Sequence, residues 1–179
     1  MTRENKAEYF LCLPNNDPKK RLVLGEYGKN NLLAVALNPS TANSQKLDPT
    51  SKNIRRIAKS QKCDGWLLVN LYPYRTPNPS NLPQTCCKKM KHENLQAIED
   101  LLWDRNISKV LYCWGNGIET RNYLPGEAQR IVTLITEQHI PQFCLGTTQK
   151  GHPYHPSPQV INRLFGGVEN VILTTFLMH

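Results

Sequence analysis

Four polar stretches follow apolar runs in this chain, and each carries groups that can hold or polarise a ligand. Asn38-Pro39-Ser40-Thr41 follows Leu37, and Asn70 precedes Tyr72-Pro73-Tyr74-Arg75. Trp114 leads into Gly115-Asn116-Gly117, and Gly151-His152-Pro153-Tyr154 runs into His155-Pro156-Ser157-Pro158. A carboxamide offers both donor and acceptor, so Asn38 and Asn70 can fix a water or read a heteroatom edge. A histidine set between prolines is held stiffly. Ser157 and Pro158 suit the N-cap and first position of a helix, so His155 would stand beside a helix N-terminus, where an oxyanion or phosphate is favoured. Taken singly, each stretch is also an ordinary turn. Gly115-Asn116-Gly117 lacks the full phosphate-loop pattern, which argues against nucleoside-triphosphate chemistry.

These residues need elements to present them. Tyr9–Leu13 and Arg21–Glu26 flank the turn-rich Pro14-Asn15-Asn16-Asp17-Pro18 and read as an N-terminal β-hairpin. Leu32–Leu37, Trp66–Leu71, Lys109–Trp114 and Pro141–Leu145 have the length of buried strands. None alternates cleanly, as expected for strands covered on both faces. Helical segments lie between them. Pro49–Gln61 opens with Asp48-Pro49, a cap followed by proline. Lys89–Trp103 places Leu95, Ile98, Leu101 and Leu102 on one face, and Gly126–His139 does the same with Ile131, Leu134 and Ile135. Val171–Leu177 reads as a late edge strand, and Thr76–Cys87 as an exposed loop. The alternation predicts a three-layer α/β/α sandwich, with a central, mostly parallel sheet and the hairpin appended. Ligands of such sheets bind beyond the carboxyl ends of the strands, which is where the polar stretches fall.

A chain of 179 residues suits a single domain. Its 22 Lys and Arg against 14 Asp and Glu leave a formal charge of +8, which favours a polyanionic partner through counterion release. The six cysteines form no CxxC pair and no zinc spacing, so no metal and no cofactor is expected. Cys113 and Cys144 sit in apolar runs and read as core thiols. Met1 to Glu8 is polar, and no apolar run reaches membrane-span length. A cytoplasmic protein with reduced thiols and no membrane association is expected; the sequence leaves its oligomeric state open.

In order, the four stretches resemble the motifs of the uracil-DNA glycosylase superfamily. Leu37-Asn38-Pro39-Ser40 resembles the first catalytic motif of its Asn-containing branches. Gly65-Trp66-Leu67-Leu68-Val69-Asn70 resembles the strand that ends in the base-reading Asn. Val110-Leu111-Tyr112-Cys113-Trp114-Gly115 resembles the strand that follows. His155-Pro156-Ser157-Pro158 resembles the second catalytic motif with its DNA-intercalating loop. Leu37-Asn38-Pro39-Ser40-Thr41-Ala42 with Asp48-Pro49-Thr50 also resembles, more closely, a bacterial and phage family known as domain of unknown function 1643. That resemblance runs roughly from Arg21 to Pro158.

The glycosylase resemblance implies a single domain of that fold that hydrolyses the N-glycosidic bond of a base flipped out of DNA. Asn38 would hold the water, His155 would stabilise charge on the departing base, and Asn70 would read its pairing edge. Pro39, Ser40, Tyr72 and Tyr74 would contribute to base binding. Ser157, Gln159, Arg75, Lys150 and His152 would contact DNA. Ser40 stands where the uracil-strict branch carries a bulky Tyr, so a 5-substituted pyrimidine is expected as substrate. The bacterial and phage distribution of the closer family suggests modified phage DNA as a target, in antiviral defence.

Several positions keep two readings. Asp48 is a helix cap, or a carboxylate that supplies the base Asn38 cannot. No aromatic lies between Pro39 and Gly65 to stack on a base; Tyr72, Tyr74 or Tyr154 would do so, or would be core. Gln159 stands where the family places an apolar wedge. Arg55 and Arg56 read as a solvated helix face, and His92 and His179 as incidental. Two alternatives to a glycosylase stand beside it. One is a non-catalytic reader of a flipped base or nucleotide, and the other is a hydrolase of free nucleosides or nucleotides.

Overall fold

The computed structural model describes residues 9–104 and 106–178; Met1 to Glu8 and His179 lie outside them. Seven strands form one mixed sheet in the order β1-β2-β4-β3-β5-β6-β7. β1 (Tyr9–Leu13) and β2 (Val23–Tyr27) form the expected hairpin, with Leu13 paired to Val23. β3 (Asn31–Ala36), β4 (Gly65–Asn70), β5 (Ile107–Tyr112) and β6 (Gln142–Cys144) are mutually parallel and correspond to the four apolar runs. The expectation of a mostly parallel sheet holds for this centre. Both flanks are antiparallel, because β2 pairs with β4 and the short β7 (Thr174–Thr175) pairs with β6.

The helices are α1 (Pro49–Ser60), α2 (Lys88–Asp104), α3 (Leu124–Glu137) and α4 (Pro158–Phe165). Successive side chains of a strand point to opposite faces, so each strand feeds two cores. Leu33, Val35, Leu67, Val69 and Val110 pack against Ile98 and Leu101 of α2 and Ala128, Ile131 and Ile135 of α3. Leu32, Ala34, Ala36, Trp66, Leu68 and Leu111 pack against Ile54, Ile57 and Ala58 of α1 and Ile161 of α4. Three layers result, and β3 and β4 are buried along their whole length. Cys113 and Cys144 are free thiols buried in these cores.

The layering follows from chain direction. From β3 the chain moves through α1 to β4 on one side, then returns through α2 to β5 on the other. Crossovers between parallel strands are right-handed, so reversing direction sends α1 to one face and α2 and α3 to the other. β3 is therefore the switch point, and the loops leaving β3, β4 and β5 part around a crevice at their carboxyl ends.

Residues 76–87, expected as an exposed loop, are anchored. Leu82 is buried, and a short 3₁₀ turn spans Pro79–Asn81. The Arg121 guanidinium holds this segment. It donates to the carbonyls of Leu82 (2.5 and 2.8 Å), Pro83 (3.2 Å) and Ser80 (2.6 Å). The carbonyls this segment leaves open are satisfied by the side chain that follows the 3₁₀ turn Gly115–Thr120. Arg121→Ala should lower stability by about 2–3 kcal/mol, the scale of lost charge-assisted bonds, read as a shifted urea midpoint. Loss below about 0.5 kcal/mol, the range of an ordinary surface change, would show that the clamp is idle.

Candidate functional site

A cleft of about 580 Å³ opens at the switch point. The end of β3 supplies Ala36, Leu37 and Asn38, and β4 supplies Leu68 and Asn70. Trp114, Gly115, Asn116 and Gly117 follow β5, and His155, Pro158 and Gln159 come from the loop entering α4. Asp48, Pro49, Thr50 and Ser51 start α1. Asn38, Asn70, Trp114 and His155, separated by up to 117 positions in sequence, thus share one cavity.

Asn38 is held by its amide nitrogen. Nδ2 donates to the carbonyls of Thr76 (2.8 Å), Pro39 (3.0 Å) and Tyr74 (3.5 Å). Three carbonyls around one end fix which end is nitrogen, leaving Oδ1 as the acceptor presented to a ligand or water. Asn70 is different. It is 1% exposed, yet neither Nδ2 nor Oδ1 has a partner in the protein. Its backbone carbonyl is satisfied by Asn94 Nδ2 at 2.8 Å, so the strand end is secure while the side chain is not. A buried amide without partners costs several kcal/mol in principle, roughly 1–3 per group. Trp114 Nε1, Ser51 Oγ and Arg21 Nε are likewise buried without partners, and all three residues line the same cleft.

His155 is half-buried, and burial pushes its imidazole below the usual value of 6.5, with Asp48 pulling the other way. The ring is therefore neutral at pH 7, with one N–H to donate. Gly115, at φ +65°, brings its backbone against the His155 side chain, where a Cβ would meet the His155 Cβ at 3.4 Å. Asp48 is a helix cap and also a carboxylate on the cleft wall. Its Oδ1 accepts from Ser51 N–H at 2.8 Å as the N-cap of α1, and it lines the cleft within electrostatic reach of Arg21 and His155.

Other expected site residues lie elsewhere or are engaged. Tyr72 is buried on the α2 side; its hydroxyl accepts from Cys87 N–H at 2.9 Å and its ring packs on Tyr123. Tyr74 packs against the same core, so neither ring lines the cleft to stack on a base. Tyr154 lies under Arg163, with 5.4 Å between the ring centre and the guanidinium. The aromatic in the cleft is Trp114, whose ring packs against Tyr112 and Phe176 and whose Nε1 is buried. Pro39 is buried behind the wall with its carbonyl taken by Thr76 N–H, whereas Ser40 lines the cleft.

Arg75, expected at phosphate, instead donates to the carbonyls of Lys20, Ser40 and Ala42. Lys150 and His152 do not line the cleft and share Glu119, whose carboxyl their hydrogen bonds hold below the usual range. Ser157 is spent as the N-cap of α4, accepting from Val160 N–H at 3.3 Å. Gln159 is exposed on the rim. Arg55 and Arg56 form exposed ion pairs with Glu26 and Glu169, in keeping with a solvated face. Sequence reasoning missed Arg21, Ser51 and Thr76 as cleft residues. Arg21 stood at the edge of an apolar run with nothing to set it apart.

The fold and cleft define an α/β protein with a cavity of about 580 Å³ at the carboxyl edge of its parallel strands. Residues 21–157 match the family described as protein of unknown function (DUF1643), and the chain belongs to that family. The matched span holds every cleft residue named above except Pro158 and Gln159. No curated protein matches the chain. Among the described residues no helix is long and apolar enough to cross a membrane, and no cluster of three or more His, Cys, Asp or Glu is placed to hold a metal.

The His155 shift has a consequence for stability. A group whose folded pKa lies below its unfolded value binds protons more readily when unfolded, so its contribution is fully present above the unfolded value and declines as pH falls. The thermal midpoint should drop on going from about pH 6.5 to about pH 5, and should drop less in His155→Asn. Equal pH dependence in the two proteins would remove His155 as the cause.

Proposed function

We propose that this protein is a monofunctional N-glycosidase with a uracil-DNA-glycosylase-like fold, which takes a flipped pyrimidine of DNA into the cleft and hydrolyses its glycosidic bond. The observation that carries the reading is Asn70, a fully buried carboxamide with both ends free, in a cavity shared with Asn38 and His155. A pyrimidine edge supplies one donor and one acceptor side by side, the complement of a carboxamide. A ligand of that kind would recover the cost of leaving Asn70 unpaired, and a base lacking the pattern would not.

The chemistry follows from the same groups. Asn38 Oδ1, aimed by the three carbonyls on its Nδ2, accepts from a water and orients it toward the sugar carbon. The new carbon–oxygen bond forms as the carbon–nitrogen bond breaks, and the bonding pair leaves on the base. Neutral His155 donates to the base oxygen that gathers this charge. The proton lost by the water passes to the Asp48 carboxylate and then to the released base, so the protein ends unchanged. Ser40, on the cleft wall, leaves room for a substituent at carbon 5. Flat apolar surface at the rim comes from Pro77 and Pro79. Lys46 and Lys52 are exposed on the segments that precede and form α1, and would be available to phosphate where Arg75 and Lys150 are engaged within the protein.

A second reading, hydrolysis or binding of a free nucleoside or nucleotide, is favoured by one specific feature. Arg75, Lys150 and His152 are committed to partners within the protein, and the cleft lining balances one arginine against one aspartate.

Duplex and single-stranded oligonucleotides carrying uracil or 5-substituted pyrimidines, alongside the free nucleosides, should separate these readings through base release. Release is expected from DNA, with the 5-substituted base preferred over uracil. His155→Ala and Asn38→Ala should each slow it by about 10²–10³-fold while DNA binding persists. Ser40→Tyr should cut activity on the bulky base more than on uracil. Release from nucleosides alone would favour the second reading, and tight DNA binding with no release would make the protein a reader.

A further inference from the structure

Arg21 is 1% exposed and carries a full charge, yet no carboxylate among the described residues forms an ion pair with it. Its Nη1 donates to the Ala42 carbonyl at 2.8 Å, and its Nε has no partner. Burial lowers its pKa to about 10, with Arg75 adding to the shift, so it remains a cation at neutral pH. A buried charge without an ionic partner is costly to the fold. Structure alone needs only the bond to Ala42, which Arg75 also makes at 3.0 Å. Arg21 is therefore not explained as a tether.

Its neighbours in the cleft share the feature. Ser51 is fully buried, its Oγ has no partner, and it lies in the first turn of the 12-residue α1. A helix N-terminus adds favourable potential for negative charge. Asp48 opposes this, but its Oδ1 is occupied by Ser51 N–H and it does not reach Arg21 as an ion pair. Ser40 and Thr41 line the same cleft, their segment fixed through the Ser40 and Ala42 carbonyls.

We propose that Arg21 and Ser51 form an anion subsite within the cleft, which binds a negatively charged oxygen group carried by the ligand: a carboxylate on the base or a phosphate on the sugar. The proposal rests on the cleft being a pyrimidine site, and it adds that the preferred ligand is charged. Arg21 Nε–H and Ser51 Oγ–H are the two donors. The fork geometry of a guanidinium matches planar carboxylate and phosphate edges, and the buried setting makes the contact selective.

Calorimetric titration of the whole chain with 2′-deoxyuridine, 5-carboxy-2′-deoxyuridine, 2′-deoxyuridine 5′-monophosphate and inorganic phosphate tests this. One anionic nucleoside should bind roughly tenfold or more tightly than deoxyuridine, the scale of a charge-assisted bond. Which one gains tells whether the charge sits on base or sugar. In Arg21→Gln the ratio of affinities should fall to within about twofold of unity, a loss of the same bond. Should that variant fail to fold, Arg21→Lys and Ser51→Ala should each shrink the ratio several-fold. No gain from either charge, or a gain that survives in the variants, overturns the subsite. Inorganic phosphate separates the two readings. Phosphate binding that depends on Arg21, with no binding of deoxyuridine, keeps the subsite and sinks the pyrimidine site. Deoxyuridine binding without any anionic gain does the reverse.

Discussion

The cleft depends on a lacing between the loop that leaves β3 and the loop that leaves β4. The ladder between β3 and β4 runs on to the Leu37 carbonyl, which accepts from Tyr72 N–H at 3.2 Å, and parallel neighbours are free to diverge beyond it. The lacing joins the two loops with backbone carbonyls as anchors. Asn38 Nδ2 reaches Tyr74 and Thr76 across the gap, and Thr76 N–H returns to the Pro39 carbonyl at 2.9 Å. Arg75 then grips Ser40 and Ala42 from behind. The anchors are backbone carbonyls, and those of Pro39 and Ala42 each accept from two donors. The same bonds that satisfy the backbone therefore set the orientation of the Asn38 carboxamide.

The hairpin of β1 and β2 extends the lacing, which explains why an element at the sheet edge bears on the cavity. Arg21 N–H donates to the Pro73 carbonyl at 3.0 Å, and Arg75 N–H to the Lys19 carbonyl at 2.8 Å. The chain entering β2 is thereby held against the loop after β4, and the Arg21 side chain turns inward. On the opposite side, Arg121 fastens residues 80–83, while Glu119 gathers Lys150 and His152 into the approach to His155. Cations that a count of charges would assign to a partner are thus consumed in holding loops.

Much of this was legible in the sequence. The four apolar runs mark β3 to β6 to within one or two residues, because strands buried on both faces must be apolar throughout. The Asp48-Pro49 cap and the Ser157-Pro158 cap start α1 and α4 where they should, since each satisfies N–H groups that any helix leaves open. Asn38, Asn70 and His155 could be placed at strand or helix ends for the same reason. Three things were not legible. Tyr72 and Tyr74 carry the right residue type for stacking, but only the handedness of the β4–α2 connection decides that Tyr72 faces α2. The engagement of Arg75 depends on carbonyls distant in sequence. Arg21 owes its position to a pairing between Lys20 and Tyr74, which no local pattern reveals.

The unpartnered atoms that crowd the cleft have a meaning for how this chain can change. Asn70, Trp114, Ser51 and Arg21 each hold polar groups away from water without return from the fold. A methyl-bearing or aliphatic side chain of similar size at Asn70 would make the empty protein firmer and the cavity blind. Substitutions that favour thermal resilience therefore run against the polar lining of the pocket, and each of the four positions is a place where the empty fold would gain by losing a polar group.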